Sequence, residues 1–351
     1  MLAAVVHILP LTTIRRERVL PLAGRVVAHV DQKLSPADVI AEAKFGQEHA
    51  LVDVARILGV LPSTADKLVK CKVGERVQKG GIVAQSSGLI PQNVRAPSDG
   101  RVIVIGGGQI LLEVGEGTYE LRAGMPGTVT RIIPDRGVEI TVNGALVQGV
   151  WGNGHVDVGL MLPLFSEPDE VLTPAQMDVS LRGSILLGGF CGDPAVFRAA
   201  AELPVRGIIL SSMLSSLIPV AMQMHYPILV TDGFGHRPMN SAAYKLLTTN
   251  GKRETTVNAG MYDRNTDTRP EVIIPLPISE EPPAPRAVEV FAPGQQVYLC
   301  RAPHAGEVGT LLNLRPGLTS LPSGLRVPAG DIRLESGEQV VVALANLEVL
   351  G

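Results

Sequence analysis

The first half of the chain is written in short alternations of apolar and polar residues, each entered from a Pro/Gly turn. One phrase recurs three times: Pro21-Leu-Ala-Gly24-Arg-Val26, Pro97-Ser-Asp-Gly100-Arg-Val102 and Pro126-Gly127-Thr-Val129. A turn directly before alternating apolar positions is how a strand enters a sheet, so the repetition predicts small β-rich modules. A further hairpin phrase, Val73-Gly74-Glu-Arg-Val77-Gln-Lys-Gly80-Gly81-Ile82-Val83-Ala84, lies between the first two copies. Residues 100–114 read as a hairpin through Gly106-Gly107-Gly108, and residues 127–142 as another through Pro134-Asp-Arg-Gly137. Two helical signals interrupt this pattern. Ser35-Pro36-Ala-Asp38 has the residue order of a helix start. Residues 48–58 place Leu51, Val54, Ile57 and Leu58 on one stripe, closed by Gly59.

Past a polar connector at 165–174 the pattern changes. Continuous apolar runs at 184–187, 207–210 and 227–230 alternate with helical stretches at 193–203, 213–224 and 240–249; residues 254–257 add a fourth strand. Asp193 caps the first helix with Pro194 at its first position, and Pro219 interrupts the second. This alternation predicts a parallel α/β layer, a small Rossmann-like or swivelling domain. Prolines 275, 277, 282, 283 and 285, with Glu280 and Glu281, then read as a stiff exposed linker. The tail is again strand and turn.

The expected class is therefore multi-domain α+β. Its divisions are a strand/helix segment at 1–66 packing on a β module at 67–164, an α/β domain at 165–270, a linker at 271–287 and a C-terminal barrel at 288–351. At 351 residues two to four domains are expected. Aromatic residues make up only 3%, so the cores must be built from Val, Leu, Ile and Ala. A net charge of −3 argues against a dominant electrostatic attraction to nucleic acid. Cys71, Cys191 and Cys300 lie far apart with no CxxC pair. That excludes a zinc ribbon by spacing and suits a reducing cytoplasm, so a cytoplasmic location without membrane attachment is the expectation. The apolar start, residues 1–10, reads as a strand rather than a signal peptide because no basic segment precedes it.

Two resemblances rest on particular motifs. Gly74-x-x-Val77-x-x-Gly80 followed by Val94-Arg-Ala-Pro97-x-x-Gly100-x-Val102 resembles a barrel-sandwich hybrid, the fold of biotinyl and lipoyl carrier domains, over about 60 residues. Carrier domains present a lysine at a hairpin tip, often beside Met; Lys70, Lys72 and Lys79 have no Met neighbour, so an unmodified module is expected and no cofactor. Val297-Tyr-Leu-Cys-Arg-Ala-Pro-His304-Ala-Gly306-Glu-Val308-Gly309, closed by residues 340–349, resembles the KOW-type SH3-like barrel of transcription elongation and ribosomal proteins. That resemblance implies binding of RNA or protein. The whole chain is similar to bacterial multi-domain proteins with a C-terminal KOW-like module, for which no activity is implied.

Ligands of an open α/β sheet settle beyond the carboxyl ends of its strands. Three segments fit that place: Gly188, Gly189, Cys191 and Gly192 before a helix N-terminus, Ser211 and Ser212, and Asp232 with Gly233. A phosphate or carboxylate held there is the sharpest ligand hypothesis. Against it, these glycines spell neither GxGxxG nor GxxxxGK[ST], and tight strand-to-helix turns need glycine without any ligand. Cys191 as a nucleophile would need His225 or His236 as its base; the bland alternative is a buried small hydrophobe. Asp232 and His236 alone make a poor metal pair. Trp151, the only tryptophan, is expected to anchor an interdomain contact. The expected function is a non-catalytic adaptor or scaffold, binding a protein partner, including transcription or translation components, or itself through exposed strand edges. RNA is the other partner class for the C-terminal barrel. The alternatives are a regulator that binds a small anion at the α/β loops, and a cysteine-dependent enzyme.

Overall fold

A computed structural model describes residues 1–44, 48–87, 91–115, 118–263, 268–278, 280, 282–286 and 288–351. Glu281 of the Pro-rich segment lies outside them.

The largest unit is an eleven-stranded sheet. Val156–Pro163, Ser184–Cys191, Gly207–Met213 and Ile228–Phe234 run parallel. Their continuous apolar sequence is explained by burial on both faces. Ile185 and Leu187 point into one core with Ala243, Leu246 and Leu247 of the Ser241–Thr249 helix. Leu186 and Cys191 point into another with Val196, Phe197 and Ala200 of the Pro194–Glu202 helix. The Asp193 cap forms as the sequence predicts, accepting from Ala195 N at 2.8 Å; Asn240, read as the first residue of its helix, instead caps it by accepting from Ala243 N at 2.9 Å.

The parallel strands do not form a domain of their own. Glu254–Asn258, the expected fourth strand, pairs antiparallel with Val156–Pro163, and Glu271–Pro275 and Gly137–Gln148 continue the sheet antiparallel. Two helices of nine residues and one of four do not clothe such a sheet. The Rossmann-like parallel α/β domain expected from sequence is therefore corrected to a mostly β architecture. Its physical origin is clear at 271–275. Val272 and Ile274 enter one core and Ile273 another, so a continuous apolar run here reports burial on both faces and says nothing of strand direction.

Ile8–Val19 lies along Gly137–Gln148 over nearly its full length. Around this pair, Ile14, Leu20, Ile40, Leu121, Val129 and Ile140 make a third core. Val39–Lys44 and Thr118–Arg122 pair with each other, Lys44 opposite Thr118. The intervening chain builds a separate core from Val52, Val83, Val94, Val102, Ile110 and Leu112.

The thrice-repeated phrase has one structural meaning. A Cβ on Gly24 would lie 2.3 Å from Glu42 O, on Gly100 2.6 Å from Glu113 O, and on Gly127 2.7 Å from Thr141 O. In each copy the next residue pairs with the residue carrying that carbonyl: Arg25 with Glu42, Arg101 with Glu113, Thr128 with Thr141. The glycine is required by close approach of the neighbouring strand.

The two early helical signals fold differently. Ser35-Pro-Ala-Asp38 closes one turn, with Asp38 N donating to Ser35 O and Ser35 N to the Asp38 carboxylate. β-branched Val39 and Ile40 then lead straight into a strand. Residues 48–58 split into the strand Glu48–Asp53 and the helix Val54–Leu58, capped by Asp53 and stopped by Gly59 in the left-handed region. Val52 faces the core and Leu51 faces out, a period of two that the helical stripe concealed.

The C-terminal seven-stranded sheet contains the chain's first strand: Leu2–Val6 lies between Leu347–Leu350, parallel, and Glu289–Val290, antiparallel. Arg269 reaches Glu348 at 3.1 Å, and Ser241 Oγ donates to Glu335 at 2.7 Å, joining this sheet to the large one. The carbonyls of Pro282 and Pro283 accept from the hydroxyls of Thr13 and Thr12, fixing the Pro-rich segment along Ile8–Val19. No helix among the described residues is long and apolar enough to cross a membrane.

Candidate functional site

The loops at the carboxyl ends of the parallel strands hold the sequence-predicted residues. Their polar groups are turned inward. Gly189 lies under residues 170–172: a Cβ there would sit 2.0 Å from Glu170 O, Phe190 N donates to Glu170 O, and Leu172 N to Phe190 O. Gly188 faces the Leu172 side chain and Gly192 the Phe190 ring. These glycines admit the connector's own backbone. The helix N-terminus that follows is satisfied by the Asp193 carboxylate.

Ser211 and Ser212 are fully buried. Both hydroxyls donate to Arg237 O, at 3.0 and 2.7 Å, and Arg237 N donates back to Ser212 Oγ. Asp232 is buried as well. Its oxygens accept from Thr231 Oγ1 at 2.6 Å and Asn240 Nδ2 at 2.9 Å. Gly233 and Gly235, at φ +103° and +90°, turn the chain between them. The network holds residues 233–240 over the strand ends. Tyr298 of the C-terminal sheet faces Asp232, and burial together with this carboxylate's charge pushes its phenol up. The predicted residues thus share one neighbourhood, and the groups found there act as a clasp between loop, sheet and C-terminal unit.

Burial raises the Asp232 carboxyl above the ordinary carboxylate range, against the opposing hydrogen bonds from Thr231 and Asn240. An acid raised in the folded state contributes most stability where it is protonated. That contribution is lost as pH rises from the unfolded carboxylate pKa through the raised one. Asp232→Asn is expected to flatten this decline in denaturant-unfolding free energy between acid and neutral pH. An unaltered profile would mean that Asp232 titrates as an ordinary carboxylate.

Cys191 is fully buried, its thiol donating to Asp193 O at 3.6 Å, and burial pushes it up to about 11. His236 stacks on Phe190 at 4.5 Å, its Nε2 3.3 Å from Asp169 O, and His225 is exposed. A thiol so raised is almost entirely un-ionised at neutral pH. Alkylation by iodoacetamide at pH 7.5 is expected to be far slower at Cys191 in the folded chain than in denaturant; equal rates would return it to the nucleophiles. Among the described residues no three His, Cys, Asp or Glu side chains are grouped to hold a metal ion.

Two features were not anticipated. Asn153 donates to Ala221 O and Tyr226 O and accepts from Ile228 N, tying the Trp151-Gly-Asn-Gly turn beneath the sheet edge. Trp151 packs edge-on against Phe234, 6.2 Å between centroids. The sharp Gly-Asn-Gly turn was the only signal. The second feature is a groove of about 500 Å³ in the C-terminal unit, lined by Leu299, Pro303, Leu321, Leu325 and Val341 and also by Arg301 and His304. Leu325 is 61% exposed. No carboxylate is among its described lining residues, and His304 is held by Glu307 at 3.0 Å.

No family model and no curated protein matches the chain. One solved structure, titled S-adenosylmethionine: 2-dimethylmenaquinone methyltransferase from Geobacillus kaustophilus, aligns at 13% identity over 37% of this chain and 88% of that one, with a TM-score of 0.25. That likeness carries no argument about fold or chemistry.

Proposed function

We propose that this chain is a non-catalytic partner-binding protein whose C-terminal groove receives an apolar, acid-flanked segment of another protein. The observation that carries this reading is the groove itself. Its walls are mostly aliphatic, Leu325 lines it while 61% exposed, and Arg301 is the cation among its described lining residues, which include no carboxylate. Exposed aliphatic surface of this kind gains by being covered, and Arg301 favours an acidic residue beside the buried segment. A protein is favoured over RNA because the walls are mostly aliphatic and the lining holds no Phe, Tyr or Trp to serve as a stacking platform. The inward commitment of Ser211, Ser212, Asp232 and Cys191 supports a role other than catalysis. The resemblance of residues 297–309 to KOW-type modules accords with binding.

The test compares the tagged chain with Leu325→Asp in host extract, with and without nuclease. A discrete protein that survives nuclease and is captured about tenfold less by the variant is expected. Material lost on nuclease treatment, or equal capture by both chains, would contradict the reading.

A further inference from the structure

Gln339–Ala343 is the last strand of the C-terminal sheet, and among the described residues its one strand neighbour is Ala329–Leu334. The ends of this hairpin fix which backbone groups are used. Leu334 N donates to Glu338 O, and Leu344 N to Pro328 O. Bonded and unbonded pairs alternate between those two points. Val340 therefore exchanges bonds with Ile332, and Val342 with Gly330, while Gln339 and Val341 turn their N–H and C=O groups away from the sheet. The opposite side of Ala329–Leu334 agrees, since Ala329 O accepts from Arg315 N there.

A groove on one face of a strand meets every second side chain. The C-terminal groove is lined by three consecutive residues, Val341, Val342 and Ala343, so it runs along the open edge and not over a face. Val341 is 37% exposed. Exposed edges are ordinarily protected by charge, proline or a bulge. Thr118–Arg122, the edge of a smaller sheet, carries exposed Glu120 and Arg122. Gln339–Ala343 has none of these devices: it reads Gln-Val-Val-Val-Ala, and its register runs without a shift.

We propose that the partner segment enters the groove as a β-strand added to Gln339–Ala343. This mode of binding rests on the groove reading above and specifies the occupant: an extended, proline-free stretch with apolar residues at alternate positions and an acidic flank. Its backbone meets the N–H and C=O groups of Gln339 and Val341, and every second side chain enters the aliphatic lining. The edge offers donors and acceptors at strand spacing, which a Pro-rich segment, short of N–H groups, does not answer.

The probe is a displayed library of random linear peptides, selected on the full chain and counter-selected on Leu325→Asp. Val341→Pro deletes one outward N–H and no bond to Ala329–Leu334, and proline is tolerated at such edge positions. Selected peptides are expected to bind Val341→Pro about tenfold more weakly, the cost of one unmet backbone bond, and Val341→Thr nearly as well as the parent. The Val341 amide of the parent is expected to exchange hydrogen more slowly once peptide is bound. Peptides that depend on Leu325 yet bind Val341→Pro as tightly as the parent would overturn strand addition and leave the groove reading intact. No Leu325-dependent peptide at all would overturn both. Dimerisation of the chain abolished by Val341→Pro would give the edge to a second copy and overturn the proposal. Should Val341→Pro fail to fold, slowed exchange at Val341 decides for the added strand, and unchanged exchange against it.

Discussion

Arg16→Met is expected to lower unfolding free energy by about 3 kcal/mol, at the lower end of what unpairing a buried ion costs, because the guanidinium is partly exposed. Its Nε and Nη2 bind both oxygens of Glu271, whose side chain is only 5% exposed. Without Arg16 that carboxylate is left in a poorly solvated place at the start of Glu271–Pro275. The double variant Arg16→Met/Glu271→Gln removes both charges and is expected to recover most of the loss. Urea midpoints of the parent, both single variants and the double variant measure it. A double variant no more stable than Arg16→Met would show that packing, and not the orphaned charge, sets the cost.

Phe197→Ala is expected to cost about 3–5 kcal/mol, the range for emptying a buried aromatic site. Phe197 has no exposed surface and joins the Pro194–Glu202 helix to the face formed by Leu186, Ile208 and Ile228. Its carbonyl also accepts from the Tyr226 hydroxyl at 2.8 Å, a bond the substitution leaves available. The loss is therefore one of packing. A change below about 1 kcal/mol would mean that this helix is not firmly docked.

What could be read along the chain was local chemistry. Asp193 before Pro194 announces a helix start because a cap acts within three residues. Gly59 ends a helix for an equally local reason, its left-handed φ. Strand direction was not local. The apolar runs at 184–187 and 272–274 look alike, yet one lies in parallel pairing and the other in antiparallel. Partners distant in sequence were hidden too. Leu2–Val6 against Leu347–Leu350, and Thr13 with Pro282, arise only when the chain is folded.

The candidate site divides in the same way. Gly189, Ser212 and Asp232 were located as a strand-end cluster from the pattern alone. Their use could not be. It depends on the carbonyl of Arg237, the backbone of Glu170 and a tyrosine from another sheet. The groove overlaps the phrase at 297–309 through residues 299–304, but Leu321 and Leu325 belong to no motif, and only the juxtaposition of the two segments gives an apolar slot.

The most direct test of partner binding at the C-terminal groove is a photo-crosslinking residue placed at Leu325, with Val179, 73% exposed, as the control position. The account predicts a discrete protein adduct at position 325 that is absent at 179 and suppressed by Val341→Asp in the groove wall. A nucleic-acid adduct at 325, or the same adducts at both positions, would contradict it.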